Sequence, residues 1–170
     1  SLIANGLKGA YLAIGGDPYL SKVRNKLMTK FLEEFPDVDN FFFIDDDVGF
    51  PPKKVVEFIY HPEPFVAGVY PKKQEEVDFA VQMAVDPATG TLGENNGYYM
   101  AHGIPTGFLR LKRTVIETLA KQSLKFKEVI HGKVEEFYDI CKMGLDSDGW
   151  WCGEDYDLAG FAVGAVERDR

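Results

Sequence analysis

Cysteine and histidine are scarce in this chain, and that scarcity excludes several classes of site. The 170 residues include two cysteines and three histidines. Cys141 and Cys152 have neither the CxxC spacing of a zinc site nor the number of partners that a disulfide scaffold needs. We interpret them as free thiols in a reducing compartment.

Long apolar runs and an excess of basic residues are also missing. No stretch of about eighteen apolar residues is present, and the chain does not start with a leader pattern, so we expect no membrane span, no signal peptide and a cytoplasmic location. The formal net charge is −8 and the lysines and arginines are scattered, which disfavours binding to nucleic acid. The chain opens at Ser1 rather than Met, so a missing N-terminal piece stays open.

Apolar side chains are abundant enough for a sizeable core. Hydrophobic residues make up 45% of the chain, which at 170 residues predicts one domain spanning residues 1–170. Strands are expected at 10–14, 40–44 and 65–70, with helices from Ser21 to Pro36 and after Pro51-Pro52. This alternation predicts an α/β fold of Rossmann type with a mostly parallel central sheet.

The second half predicts antiparallel additions to that sheet. "DFAVQMAV", "GYYMA" and "GFLRLK" read as short strands, with a hairpin joining the first two. A helix is expected over residues 113–122, a second hairpin around His131-Gly132, and a closing helix in "EDYDLAGFAVGAV".

Three consecutive aspartates, Asp45, Asp46 and Asp47, follow the apolar stretch "FFFI". Their mutual repulsion requires a positive partner, and hard oxygen donors suit Mg²⁺ or Mn²⁺. If the strand persists, Asp45 and Asp47 point to the same side at its carboxyl end, where open α/β sheets collect ligands. A solvated acidic loop, or an acidic start to the next helix, is the alternative.

A series of short motifs gives this cluster a context. "SKVRNKLMTKFL" precedes the aspartates, "VAGVYPKK" follows them, and "GWWCGEDYDLA" comes near the end. In this order the motifs resemble those of the nucleotide-sugar-dependent glycosyltransferases of the GT-A fold, especially the family-2-like members with their DxD motif. The resemblance covers about residues 20–160. It implies a single GT-A-like domain, either with the family's usual start or shortened at its N-terminus, that moves a sugar from a nucleoside diphosphate sugar, UDP- or GDP-linked, to an acceptor hydroxyl.

The resemblance assigns a role to each matching residue. Asp47 would be the main ligand of Mn²⁺ or Mg²⁺, and Asp45 would reach the ribose or the metal shell, with Asp46 beside them. Arg24, Lys72 and Lys73 would face the nucleotide or its phosphates, and Gly107 would let the backbone approach the ligand closely. Each of the three basic residues could equally be a solvated surface residue.

The acidic pair Glu154 and Asp155 would carry the catalytic chemistry. The resemblance makes Asp155 the general base that takes the proton from the acceptor hydroxyl in an inverting transfer. A role as helix caps is the alternative for both carboxylates. Trp150 and Trp151 would stack on sugar rings or pack in the core, and His102 is the best placed of the histidines for a site role.

Two other functions stay open at this point. One is a metal-dependent nucleotidyltransferase, and the other is a non-catalytic sugar- or partner-binding domain on a degenerate GT-A frame. The first strand of the family, which grips the base, has only "AYLAI" as a counterpart here, and the histidine that completes the metal shell in some members is missing from "LAGFAVGAVERDR".

Overall fold

The computed structural model describes residues 6–72, 78–79, 81–95, 97–145, 149 and 151–152. The helices are α1 Leu20–Glu34, α2 Lys53–Tyr60 and α3 Arg113–Gln122. The strands are β1 Asn40–Ile44, β2 Phe65–Ala67, β3 Gln82–Met83, β4 Glu94–Asn95, β5 Tyr98–Tyr99, β6 Ala101–Gly103, β7 Phe108–Lys112, β8 Lys125–Ile130, β9 Lys133–Tyr138, β10 Gly144–Leu145 and β11 Trp151–Cys152.

The central sheet of the described residues has three strands in the order β1-β7-β2. β7 is antiparallel to both neighbours, with Phe42 and Val66 each opposite Arg110. The prediction of a Rossmann-like, mostly parallel central sheet is therefore wrong. β1 and β2 do run in the same direction, but β7 lies between them and takes their hydrogen bonds. All the remaining strand pairs of the described residues are antiparallel as well.

The sheet separates two apolar cores, because alternate residues of β7 point to opposite faces. Leu109 and Leu111 are fully buried on the face covered by α1 and α3, together with Phe41 of β1. Phe108 lies on the other face and stacks on Phe58 of α2, with ring centroids 4.9 Å apart. The result is three layers: α1 and α3 form the first, the sheet forms the second, and α2 forms the third.

Polar side chains of α1 fasten the end of β9 to this helix. The Asn25 side chain, 2% exposed, accepts from the backbone N–H groups of Ile140 at 3.0 Å and Cys141 at 2.6 Å. Its amide nitrogen donates to Asp139 Oδ1 at 3.0 Å. One turn further on, Thr29 Oγ1 accepts from the Tyr138 N–H at 3.0 Å. A buried amide and hydroxyl thus satisfy the backbone where β9 ends.

An ion-pair cluster, which we call the Asp17 cluster, holds the start of α1. Lys26 Nζ lies 2.8 Å from Asp17 Oδ2 and 2.6 Å from Glu128 Oε2 of β8, and Lys22 Nζ bonds Glu128 Oε1 at 2.8 Å. The hydrogen bond from Lys26, followed by one from the Tyr19 N–H, lowers the pKa of Asp17 to about 2. The cluster joins the loop before α1 to the β8–β9 hairpin.

Arg113 closes the C-terminal end of α1. Its Nε donates to the Val38 carbonyl at 2.9 Å and its Nη2 to the carbonyls of Phe31 and Phe35. The guanidinium also lies 4.4 Å above the Phe31 ring. A cation at a helix C-terminus offsets the partial negative charge of the last carbonyls.

Arg110 does the same for α2, from the opposite face of the sheet. It is fully buried, and it donates from Nε to the Phe58 carbonyl at 2.9 Å and from Nη2 to the His61 carbonyl at 3.0 Å. Its Nη1 has no hydrogen-bond partner among the residues that the structure describes. Burial lowers the pKa of this guanidinium.

Most local predictions are confirmed, and the exceptions are instructive. α3 has the predicted bounds, and the β8–β9 hairpin turns at His131 and Gly132, both with positive φ. No strand forms over residues 10–14, and α1 starts one residue early, without a side-chain cap from Ser21. β2 ends at Ala67 rather than at residue 70. The predicted closing helix falls outside the described residues.

Within the described ranges, no helix combines the length and the hydropathy that crossing a bilayer requires.

Candidate functional site

Asp45 extends the β1–β7 ladder by one step. The last paired residues are Ile44 and Phe108, and the Asp45 N–H then donates to the Gly107 carbonyl at 2.9 Å. The Val48 N–H bonds the Asp45 carbonyl at 3.2 Å, which closes a turn containing Asp46 and Asp47. The strand ends before the three aspartates, so the prediction that Asp45 and Asp47 point to the same side of a strand is wrong.

Arg24 lies beside this turn. Its side chain is only 4% exposed, and Nη2 is 3.9 Å from Asp45 Oδ2. The guanidinium also lies 5.7 Å from the centroid of the Phe43 ring, which points to the same face of the sheet as α1. Arg24 is therefore not a solvated helix residue, and it supplies at least part of the positive charge that the aspartates require.

The Asp45 carboxylate is 38% exposed, whereas its arginine partner is buried. Asp46 and Asp47 are exposed. The site thus has a fixed, desolvated cation on its inner side and carboxylates facing solvent on its outer side. Such an arrangement keeps the carboxylates accessible to a ligand or cation while reducing their mutual repulsion.

The side chains of Tyr70 and Asp45 lie close to the backbone of Gly107. A Cβ at this position would lie 2.2 Å from Tyr70 Oη and 2.9 Å from Asp45 Oδ2, so any other residue would displace the phenol or the carboxylate. The Gly107 N–H donates to Tyr70 Oη at 3.1 Å. The preceding residues Pro105 and Thr106 are fully buried, which fixes the loop before β7 beneath the aspartates.

Sequence reasoning missed Tyr70. The residue follows β2 within "VAGVYPKK", a segment in which only the two lysines were predicted to contact the ligand. A tyrosine after a buried strand gives no signal of its own, because its usual role is packing. The available signal was its place at the same sheet edge as the aspartates.

The predicted phosphate-binding lysines lie in different surroundings. Lys72 is exposed and its Nζ pairs with Asp78 Oδ2 at 2.5 Å. Lys73 falls outside the described residues, so phosphate binding by Lys72 and Lys73 stays a prediction. Lys54, in the first turn of α2, is also paired: it bonds Glu57, and the hydrogen bond to that carboxylate raises the pKa of Lys54.

The predicted catalytic residues Glu154 and Asp155 also lie outside the described residues, as does Trp150. Trp151 belongs to β11, whose backbone pairs with β10. His102 is exposed on β6. The structure therefore brings together Arg24, Asp45 and Gly107 from the predicted set, and it adds Tyr70.

The aspartate turn offers a partial set of metal ligands. Among the described residues, no group of three or more histidine, cysteine or acidic side chains is placed to hold a metal ion. Mg²⁺ commonly takes one or two protein carboxylates and completes its shell with water and substrate phosphates. The carboxylates of Asp45 and Asp47 are the kind of oxygen donor that such a cation takes, but the described residues do not form a cage made of protein alone.

Comparison with known proteins adds one likeness of fold. No family model matches the chain, and no curated protein matches it either. The crystal structure of A197 from STIV is similar, with a TM-score of 0.50, 19% identity, and coverage of 95% of this chain and 68% of that one. At that identity the likeness concerns the fold alone.

Proposed function

We propose that this chain is a metal-dependent glycosyltransferase that moves a sugar from a UDP- or GDP-linked donor to an acceptor hydroxyl in the cytoplasm. The observation that supports the proposal best is the meeting of Arg24, Asp45 and Gly107. These residues come from three separate segments, each selected from the sequence for the same ligand, and they converge where β1 ends.

Each group in the proposed site has a task. Asp45 and Asp47 would hold the divalent cation, and Arg24 offsets the charge of the carboxylates from the buried side. The missing side chain of Gly107 leaves room for the Tyr70 phenol and the Asp45 carboxylate to approach the backbone. A bound Mn²⁺ or Mg²⁺ would supply Lewis-acid stabilisation of the departing diphosphate.

The proposed transfer is a single displacement. The acceptor oxygen forms a bond to the anomeric carbon while the bond from that carbon to the diphosphate oxygen breaks, and the diphosphate keeps the electron pair. Asp155, assigned by resemblance, takes the proton of the acceptor hydroxyl. One displacement inverts the anomeric configuration.

A thermal-shift screen of nucleoside diphosphates, with and without Mn²⁺, tests the binding step. A ligand at a hundred times its Kd adds about 2.7 kcal/mol to the stability of the native state. For a domain of this size that corresponds to a rise in Tm of about 5–10 °C. We expect UDP or GDP to produce such a rise only when Mn²⁺ is present.

Asp47→Ala should remove the dependence on Mn²⁺. The ligand-free variant should be no less stable than the parent, because one of three adjacent like charges has gone. Asp37→Ala is a matched control, since Asp37 is exposed in a turn outside the site. A large loss of stability in ligand-free Asp47→Ala would mark the cluster as structural, and the metal assignment would then be abandoned.

The transfer step is tested with Asp155→Asn, which keeps the shape but cannot accept the proton. Donor binding should survive, while transfer should fall by about two to four orders of magnitude. Retention of the donor's anomeric configuration in the product would refute the inverting assignment. A preference for nucleoside triphosphates would favour a nucleotidyltransferase, and the lack of any nucleotide binding would favour a non-catalytic domain.

A further inference from the structure

Tyr70 lies beside Gly107 because the chain after β2 continues alongside the start of β7. The Gly68 N–H donates to the Phe108 carbonyl at 2.8 Å, so the β2–β7 pairing continues one residue past the strand. A Cβ at Gly68 would lie 2.4 Å from the Phe108 ring, and the glycine thus permits this close approach. Two residues later the chain presents the Tyr70 phenol to Gly107.

The backbone of Gly107 connects this phenol with Asp45. The Gly107 N–H donates to Tyr70 Oη at 3.1 Å, and the Gly107 carbonyl accepts from the Asp45 N–H at 2.9 Å. Gly107, which is buried, therefore makes one hydrogen bond to Tyr70 and one to Asp45. Loss of the phenolic oxygen would leave the Gly107 N–H without this acceptor.

The phenol and the carboxylate also lie on the same side of Gly107, around the place that a side chain would take. The position that a Cβ would take there is 2.8 Å from Tyr70 Cζ and 2.9 Å from Asp45 Oδ2. The Asp45 side chain is 38% exposed and would otherwise have freedom to change rotamer. The Arg24 guanidinium, 3.9 Å from Asp45 Oδ2, and the Tyr70 ring beside Gly107 both reduce the space into which this carboxylate can turn.

We infer that Tyr70 is a positioning residue that fixes the Asp45 carboxylate for the cation and diphosphate of the donor. The inference rests on the proposed function for its ligand and on the Gly107 hydrogen bonds for its geometry. Residues behind a metal ligand typically change metal affinity about 10–100-fold when they are replaced. The phenol acts through Gly107 and Asp45.

The test compares Tyr70→Phe with the parent and with Tyr60→Phe. Tyr60 is a suitable control because it is 67% exposed at the end of α2, away from the aspartate turn. Amide hydrogen exchange of the ligand-free proteins measures how fast the N–H groups of Gly107 and Asp45 exchange with solvent. Titration with UDP or GDP in the presence of Mn²⁺, carried out well below the unfolding temperature, measures the nucleotide Kd.

We expect faster exchange at Gly107 and Asp45 in Tyr70→Phe, together with a rise of about tenfold in the nucleotide Kd. Tyr60→Phe should match the parent in both measurements. If Tyr70→Phe lowers Tm but leaves the Asp45 exchange or the Kd at parental values, the phenol is only structural and the inference is overturned.

Failure of the proposed function would look different. A parent protein that binds neither nucleotide with Mn²⁺ contradicts the glycosyltransferase proposal. The exchange rates at Gly107 and Asp45 would still decide whether Tyr70 holds Asp45, because they are measured without ligand. Unchanged exchange in Tyr70→Phe refutes the link in either case.

Discussion

Asn25→Ala is expected to be among the most destabilising single substitutions in α1. The alanine variant removes the oxygen that accepts from the buried N–H groups of Ile140 and Cys141, and it removes the amide donor to Asp139. Ile140 and Cys141 are only 2% and 1% exposed, so water cannot replace the lost acceptor without opening the structure.

The magnitude follows from these two N–H groups. A buried donor left without a partner costs about 1–3 kcal/mol, so the pair accounts for about 2–6 kcal/mol. Domains of ordinary size have a free energy of unfolding of about 5–15 kcal/mol. The variant should thus lose a large fraction of its stability, and the end of β9 should detach from α1 before the sheet unfolds.

Urea unfolding monitored by circular dichroism measures the loss, with Asn40→Ala as the matched control. The Oδ1 atom of Asn40 is buried and has no hydrogen-bond partner in the described part of the chain, so removing that amide should change the free energy of unfolding by less than about 1 kcal/mol. If Asn25→Ala costs no more than Asn40→Ala, the argument that Asn25 carries the β9 connection is refuted.

Substitutions at two further positions, Asp17 and Arg110, test charged side chains that the fold holds in place. The low pKa of Asp17 means that its carboxylate stabilises the fold above its usual pKa of 3.8 and that this stabilisation is lost as pH falls towards about 2. Asp17→Asn should lower the free energy of unfolding at neutral pH and make it depend less on pH in that range. If the variant and the parent lose stability equally as the pH falls, the Asp17 carboxylate does not provide this stabilisation. Arg110→Met should cost less than Arg110→Lys, because lysine keeps a desolvated charge while losing the fork of donors. The pKa of His61, which burial and then Arg110 lower, should rise towards 6.5 in Arg110→Met, and an NMR titration that shows no rise would refute the coupling.

Elements set by local chemistry were predictable from the sequence. The apolar spacing over residues 113–122 and the His131-Gly132 turn each contain their own signal, and both were predicted correctly. The Phe41–Phe43 stretch also carried correct information about burial, since these side chains contribute to cores on both faces of β1.

The neighbour relations in the sheet could not be predicted in the same way. An apolar run shows that a strand is covered, but it does not identify the strand that hydrogen-bonds to it. β1, α2 and β2 follow one another as in a parallel unit, and nothing within these segments indicates that residues 108–112 will lie between the two strands. The parallel-sheet prediction failed for this reason.

The site was predictable in part for a related reason. Asp45 and Gly107 were selected because each is unusual in its own segment, a carboxylate after an apolar strand and a glycine before one. The buried contact between Arg24 and Asp45 depends on how α1 lies across the sheet, which the sequence does not specify. Tyr70 was missed because its role depends on the backbone of a residue 37 positions away.

The position of β7 in the sheet also sets the order in which the protein can fold during synthesis. β1 and β2 are made first, yet in the described sheet both obtain their hydrogen bonds from β7, which follows only after residues 68–107. Until then, the growing chain carries two strands with unpaired edges and phenylalanine side chains that have no completed core, and such segments favour aggregation. Ribosome-bound chains from which residues 108–112 have not yet emerged should therefore need chaperone protection, which the emergence of β7 should begin to relieve.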